Sequence, residues 1–547
     1  MRFALLALAA LVGLAASVPA HAQDRRGDNA FGTGGGNGDG RTVIQPYIEV
    51  SQVLSAELTP GDDVLTFTQV AAGVDANTQG RNSGASVSLR YERNIAWGDN
   101  QVDTDTLSGV ARGYLSVVPR ALTFEAGGLA SRTRLDGGGG VSSNPLVRED
   151  AESQIYSIYA GPTLATNVGR VAVNGFARIG YNRFETENAA FDPAGNAVDV
   201  FDDSVTYNGR VTASTRSGDP FPVGLAVTGG IFQEEISNLD QRVRDAFVRA
   251  DVTVPVTPSL AIVGGVGYED VEISSRDALR DANGDPVIGA DGRLVTDSSG
   301  PRRIAFDVDG LLWDVGVLWR PSSRTSLEAR VGERYDSTTY YGNFTYQPNS
   351  RSALSVVAYD GVSGFGGVLN NALAGLSSDF TAFRNPVTGD FGGLVSGGEG
   401  AGLVGTLGSV RSAAFRGRGV RASYQRRIGR LDAAIGAGYD RRTFIAAAGT
   451  PLEAADGLTD ESYYVTGALS RQIGQRAIIA ANAYANWFES ASVGGDVTAF
   501  GASASYNRSL TQRLSGRAAL AIDYFDSEFA AEDFAFATAL IGLRYNF

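Results

Sequence analysis

From about Thr42 to the last residue, apolar and polar positions alternate with a period of two. In residues 84–94, GASVSLRYERN, Ala85, Val87, Leu89 and Tyr91 share one parity, and Ser86, Ser88, Arg90 and Glu92 share the other. In 170–182, Val171, Val173, Ala177, Ile179 and Tyr181 alternate with Asn174, Arg178 and Asn182. In 477–487, Ile479, Ala481, Ala483, Ala485 and Trp487 alternate with Asn482, Tyr484 and Asn486. The chain closes on LIGLRYNF, where Ile541, Leu543, Tyr545 and Phe547 oppose Leu540, Gly542, Arg544 and Asn546. Side chains alternate faces along a strand, so each stretch predicts a strand with one greasy and one wet face. Soluble strands average about 5–6 residues. Runs this long suit tilted membrane strands of about 9–11 residues with extensions.

Connectors alternate short and long. Short ones fall at 118–121, 217–220, 256–259, 320–324, 347–351, 427–430 and 472–476. Long ones fall at 136–152, 185–203, 274–303, 361–410 and 445–460. Membrane barrels have short periplasmic turns and long outer loops. If the last strand runs inward, every short turn lands on the periplasmic side. The expected fold is all-β: a transmembrane antiparallel up-and-down β-barrel of about 22 strands, within about 20–24, with no plug domain. Residues 336–346 are its least legible hairpin. Lipid tolerates strands only in a closed sheet, so the last strand must pair with the first, near 43–57.

Outward aromatics follow outward aliphatics by eight or ten positions: Leu260 with Tyr268, Leu431 with Tyr439, Ile479 with Trp487, Leu514 with Tyr524, and Val171 with Tyr181. At about 3.3 Å per residue and a tilt near 40°, that climb is roughly 20–25 Å. Tyr181, Tyr268, Tyr439, Trp487 and Tyr524 are therefore expected at the outer interface, and Trp319 at the inner one.

The N-terminus, MRFALLALAALVGLAASVPAHAQ, has a positive start, an apolar run and the small residues Ala20 and Ala22 around His21. It reads as a secretory signal over 1–22. Residues 23–42 read as a Gly-rich flexible leader and 43–547 as the barrel. A TonB-dependent transporter needs an N-terminal plug, and only about twenty residues separate the signal from the first strand, which argues against it.

Composition removes several chemistries. The sequence has no Cys, its single His is His21, and all 46 basic residues are Arg. Past the signal there is no thiol nucleophile, histidine base, Schiff-base lysine or His-ligated zinc. A net charge of -14 argues against a nucleic-acid partner. No cofactor is implied, and the chain is not expected to be an enzyme. The acidic doublets Asp202-Asp203 and Glu234-Glu235 read as solvated loop edges. In DANGDP, 281–286, Asp281, Asn283 and Asp285 alternate as in a calcium loop. Pro286 stands where that loop needs Gly, and Gly292 where it needs Glu, so a turn-rich loop is expected and no metal site.

The inward parity carries both signs. Arg90, Arg178, Arg210, Arg330, Arg421, Arg517 and Arg544 stand against Glu92, Asp251, Glu269, Asp314, Glu328, Asp432 and Asp523. A mixed-charge lumen fits a water-filled barrel, and singly each residue reads as wetting the interior without selectivity. The segment 361–410 is Gly-rich yet carries Val368, Leu369, Leu373, Leu376, Phe380 and Phe383. The first four have helical spacing, so 366–384 is expected to fold against the mouth or into the lumen and narrow it. A disordered surface loop is the competing expectation.

The ending resembles the C-terminal signature of Gram-negative outer-membrane barrels, carried by Ile541, Leu543, Tyr545 and Phe547. The resemblance implies recognition by the barrel-assembly machinery. Residues 311–335, LLWDVGVLWRPSSRTSLEARVGERY, resemble an outer-membrane porin-like barrel family associated with PEP-CTERM and exopolysaccharide systems. The matching residues are Trp319, Arg320, Pro321, Arg324, Thr325, Leu327, Gly332, Arg334 and Tyr335. Glu333 interrupts the outward face there, or lies beyond the bilayer. The expected function is a passive or loop-gated outer-membrane channel for solutes, with oligosaccharides among the candidates. The alternative is a non-transporting scaffold that presents loops or binds exopolysaccharide. Expected partners are the lipid bilayer, lipopolysaccharide, the assembly machinery, and polysaccharide or small solutes.

Overall fold

The computed structural model describes residues 41–547, apart from 62, 98–103, 136–140, 143–151, 187–189, 192–196, 199–202, 396–400, 408–412, 491–495 and 529–532. The expected signal peptide and most of the leader lie outside these residues. The leader's boundary shifts slightly, because Arg41 and Thr42 already belong to the first strand.

Twenty-two long antiparallel strands form one closed sheet among the described residues. The two-residue strand Val141–Ser142 joins the same sheet beside Leu122–Leu135. Closure is made by Arg41–Thr59 against Phe534–Asn546, in register from Tyr47↔Asn546 to Thr59↔Ala535 with a bulge at Glu57/Thr59. A hydroxyl pair at 2.9 Å, Ser55 with Thr538, crosses this seam from the lumen side. The Phe547 N–H donates to the Pro46 carbonyl at 3.1 Å, so even the last residue is held by the sheet.

Alternation decides the faces. On Arg41–Thr59, Ile48, Val50 and Leu54 are exposed, while Glu49, Ser51, Val53 and Ser55 are buried. On the terminal strand Ile541, Leu543 and Tyr545 are exposed and Leu540 is buried. This is inside-out for a soluble protein: the outer surface is apolar and much of the interior is polar. Only lipid makes such a surface favourable, so the sheet is a membrane-spanning barrel. No helix among the described residues is long and apolar enough to cross a membrane.

The uncertain stretch near 336–346 is a strand, Ser337–Asn349, joined to Thr325–Arg334 by a two-residue turn. Its central residues, Tyr335 and Asp336, have φ of 58° and 53°. A tyrosine is an unusual choice for left-handed backbone. Here its N–H donates to Glu269 at 2.6 Å and its hydroxyl to Asp245 at 2.9 Å, which anchors the turn inward. This short hairpin ends where Trp313 pairs with Glu333, and the Trp313 indole N–H donates to the Glu333 carboxylate at 3.0 Å. Glu333 thus sits at the outer rim of the apolar wall.

The fold class needs one correction. The barrel is not empty of plugging structure. Between the neighbouring strands Ser352–Ser363 and Phe415–Ile428 the chain turns into the lumen. It forms helix α1 (Phe365–Ala374), a small hairpin (Ala382–Arg384 with Phe391–Val395) and helix α2 (Ala401–Leu407). The expectation of a barrel with no plug therefore does not stand. The physical reason is the segment's apolar content, which needs cover and finds it inside the wall.

Candidate functional site: the lumen and the segment folded into it

Helix α1 begins at Gly364, which has no side chain to cap the first turn. The wall supplies the cap instead. Glu234, fully buried on strand Gly224–Ile236, accepts the N–H of Gly364 at 2.8 Å and of Gly367 at 3.1 Å through one oxygen. A carboxylate at a helix N-terminus also meets the positive end of the helix dipole. This corrects the expectation of a solvated loop edge at Glu234: it shares the inward parity of Phe232 and Ile236, and the segment covers it.

One side of α1 is apolar. Phe365, Leu369, Leu373 and Leu376 pack with Val110, Leu129, Ile155, Tyr159, Phe184 and Ile236 of the wall. Phe184 and Phe365 meet edge to face at 6.1 Å. Phe380 and Phe391 join this cluster, and Phe383 is half-buried. Val368, expected on the same stripe, instead faces a second cluster with Phe415 and Phe444. Of the two readings of 366–384, insertion into the lumen is the observed one.

Polar bonds fix the rest of the segment. Asn370 donates to Asn182 at 2.8 Å, and Asn182 also contacts Ser157 and Ser204. The Arg384 guanidinium donates to the Ser108 hydroxyl at 2.7 Å and to the carbonyls of Ser88, Ser108 and Gly389. Arg132 pairs with Asp390 at 3.0 Å. Arg517 donates to the Pro386 carbonyl, and Ser131 to the Phe391 carbonyl at 3.0 Å. A buried polar group costs free energy unless paired, so these contacts define one seating of the segment.

Most of the fourteen charges read from the sequence as lumen-lining are paired, several of them in networks. Arg90 pairs with Glu49 at 3.2 Å and Glu92 at 2.9 Å, and Arg517 shares Glu49 at 2.6 Å. Arg330 pairs with Glu328 and Asp251, each at 2.7 Å, and with Asp314 at 3.2 Å. Arg249 pairs with both Asp251 and Asp314 at 2.6 Å. Glu269 accepts from Arg334 at 2.8 Å. Arg421 reaches Asp440 and the Tyr359 hydroxyl. Asp523 accepts from the Tyr484 hydroxyl at 2.8 Å. Arg544 pairs with Asp75 at 3.1 Å and lies over the Tyr47 ring. Asp432 pairs with Arg427 near the short turn at Gly429. Arg178 shares Glu125 with Arg112. Arg210 is exposed and lies near the Phe247 ring. Most of these charges are thus paired across strands rather than singly solvated.

Sequence reasoning missed Glu49, Asp245, Arg249 and Arg334 as network members. Asp245, Arg249 and Arg334 share strand and parity with residues it did name, so strict extension of the alternation would have found them, whereas Glu49 is set inward by its pairing with Arg544 across the seam. Nothing local marks Arg384 or Asp390, because their partners lie across the lumen. The expected interface aromatics face outward. Tyr181, Tyr268, Trp319 and Trp487 are exposed, while Tyr439 meets Tyr463 of a neighbouring strand in a tilted pair at 4.9 Å and Tyr524 stacks on Phe500 of another at 4.7 Å. Of the terminal residues, Phe547 is exposed and meets the Tyr545 ring edge-on at 5.2 Å.

In the 281–286 loop, one oxygen of Asp281 accepts the N–H groups of Asn283 at 2.8 Å and Asp285 at 3.0 Å. That is a turn lock, and it holds the carboxyl below the usual aspartate range. No group of three or more potential metal ligands is found among the described residues.

No family model matches the chain, and no curated protein matches it. The resemblance of 311–335 to the exopolysaccharide-associated barrels therefore rests on those residues alone. Among solved structures, the chain is similar to the FrpB iron transporter of Neisseria meningitidis, at 12% identity and a TM-score of 0.43, over 92% of this chain and 81% of that one. It is similar to the ferric-catecholate import receptor Fiu of Escherichia coli K12, at 10% identity and a TM-score of 0.43, over 91% and 81%. It is also similar to the siderophore receptor PiuA of Acinetobacter baumannii, at 9% identity and a TM-score of 0.40, over 91% and 82%.

Proposed function

We propose that this chain is an outer-membrane transport barrel whose inserted segment, 364–414, sets the width of the path. The observation that carries this reading is the division of the lumen. One part is packed with α1, the hairpin and α2. Another part, lined by Arg210, Arg249, Arg330 and Tyr341, keeps exposed polar groups such as Arg210 and Tyr341. A solute path needs a polar, accessible interior, and this part of the lumen supplies one.

The segment is separable from the wall. Ser363 and Phe415, at its two ends, are already register partners on adjacent strands. Excision of 364–414 with a short Gly-Ser bridge leaves every wall pairing available. In planar bilayers the excised barrel is expected to conduct more per channel than the full chain. Equal conductance from a folded excised barrel would remove the segment from the path. Silence from both forms would favour the scaffold reading.

A further inference from the structure

Phe176, Arg210, Gly230 and Phe247 are successive register partners across four neighbouring strands. All four face the lumen, on the parity of buried Ser204, Thr206 and Glu234. Gly230 has no side chain, and the Phe247 ring occupies the space that a Cβ there would need. This brings the ring to Arg210, whose guanidinium carbon lies 5.6 Å from the ring centroid.

Among the described residues, the Arg210 guanidinium makes no hydrogen bond and no ion pair, and the residue is exposed to the lumen. The lumenal arginines near it are engaged: Arg178 with Glu125, Arg249 with Asp251 and Asp314, and Arg334 with Asp245 and Glu269. Asp245, the carboxylate that attracts Arg210, is held by Arg334 through two bonds and by the Tyr335 hydroxyl. Arg334 and Arg249 act on Arg210 as like charges, while Tyr341 and Asp245 act on it in the opposite sense without bonding to it. A lumenal guanidinium with no carboxylate bonded to it is open to an anion from solution. Its planar fork matches a carboxylate, with two parallel donors. The Phe247 ring is shared, with the Arg334 guanidinium carbon at 5.0 Å from its centroid, the Phe176 ring carries Arg178 at 4.3 Å, and exposed Tyr341 acts on Arg210 from a neighbouring part of the wall.

We propose that Arg210 is the anion-recognising residue of the lumen, taking the carboxylate of an acidic solute. This rests on the transport reading above, yet its test is separable from it.

The test uses the refolded full chain and two variants, Arg210→Gln and the rim control Arg170→Gln. Heat-modifiable migration reports folding. The probes are glucuronate and its neutral counterpart, glucose. By titration calorimetry the full chain is expected to bind glucuronate in preference to glucose. Arg210→Gln should lose about tenfold or more in glucuronate affinity, as removal of a charge-assisted pair does. Arg170→Gln should bind as the parent does. In bilayers glucuronate should reduce the chloride current of the parent and not of Arg210→Gln. No preference for glucuronate, or equal binding by a folded Arg210→Gln, overturns the site. Glucuronate binding that depends on Arg210 in an electrically silent barrel supports the site and overturns the transport reading instead.

Discussion

The Glu234 carboxylate accepts the Gly364 N–H at 2.8 Å across 130 residues of chain. The bond joins the wall to the first turn of the lumenal helix, and the same oxygen also accepts the Gly367 N–H. A wall residue therefore completes a helix that could not cap itself. The helix in turn shields the carboxylate from water.

Replacing Glu234 by Ala leaves two buried donors without an acceptor, at about 1–3 kcal/mol each. The amides of 364–376 are expected to exchange faster with deuterium, while those of the wall strands stay protected. Glu234→Gln keeps one acceptor oxygen and should show a smaller change. Unaltered exchange in Glu234→Ala would mean that apolar packing alone seats the helix.

Gly366 offers a steric route to the same end. A Cβ there would collide with the Ser204 hydroxyl and Asn182. Gly366→Val is expected to unseat α1 and raise single-channel conductance toward that of the excised barrel. Conductance identical to the parent, with folding verified, would show that the seating tolerates a shift.

Ala481 faces outward and pairs with Ala504, while its neighbour Asn482 faces inward and contacts Ser503. Ala481→Arg should destabilise the barrel by about 2–4 kcal/mol near the midplane, and Asn482→Arg should be close to neutral. Urea titration in lipid vesicles measures both. Equal losses would contradict the assignment of the two faces.

The Asp281 lock makes a pH prediction. Its folded-state pKa is lowered by the N–H groups of Asp285 and Asn283. The stabilisation of the turn is then fully present above the ordinary aspartate pKa of about 3.9. It is lost as pH falls through the lowered value. Protection of the Asn283 and Asp285 amides should be flat from about pH 7 to 5 and decline below about pH 4. Asp281→Asn should abolish that pH dependence, and an unchanged profile would assign the protection to another group.

Much of the wall was legible because one physical rule, a two-residue alternation between lipid and lumen, governs nearly every strand. Even the closing pair, Arg41–Thr59 with Phe534–Asn546, followed from the requirement that no edge remain in lipid. The hairpin at Tyr335 and Asp336 was obscure, because a positive-φ tyrosine gives no turn signal by residue type. The lumenal segment was half legible. The stripe of Leu369, Leu373 and Leu376 marked a buried helix, but its cap and anchors, Glu234, Asn182, Ser88 and Ser108, lie far away in sequence. The same holds for Arg210. Its parity placed it in the lumen, and only the folded arrangement shows that no carboxylate among the described residues bonds to it.

The terminal aromatic invites a perturbation at the seam. Changing Phe547 to Asp, or deleting it, removes an outward ring beside Tyr545, and deletion also removes the N–H bonded to Pro46. Less folded barrel is expected, read as loss of the heat-modifiable band. Full yield of both variants would show that strand pairing up to Asn546 suffices.

Ser55 and Thr538 touch across the seam although 483 residues of chain separate them. Such a contact makes folding a problem of order in time. Hairpins between neighbouring strands can form early, because their loops are short and cost little entropy to close. The seam is the slowest pairing by the same argument, since its loop is nearly the whole chain. Until it forms, both outer strands present unpaired backbone, which is the state most exposed to pairing with the wrong chain. The barrel is thus committed only at its final step, and whatever shields those two edges beforehand governs its yield.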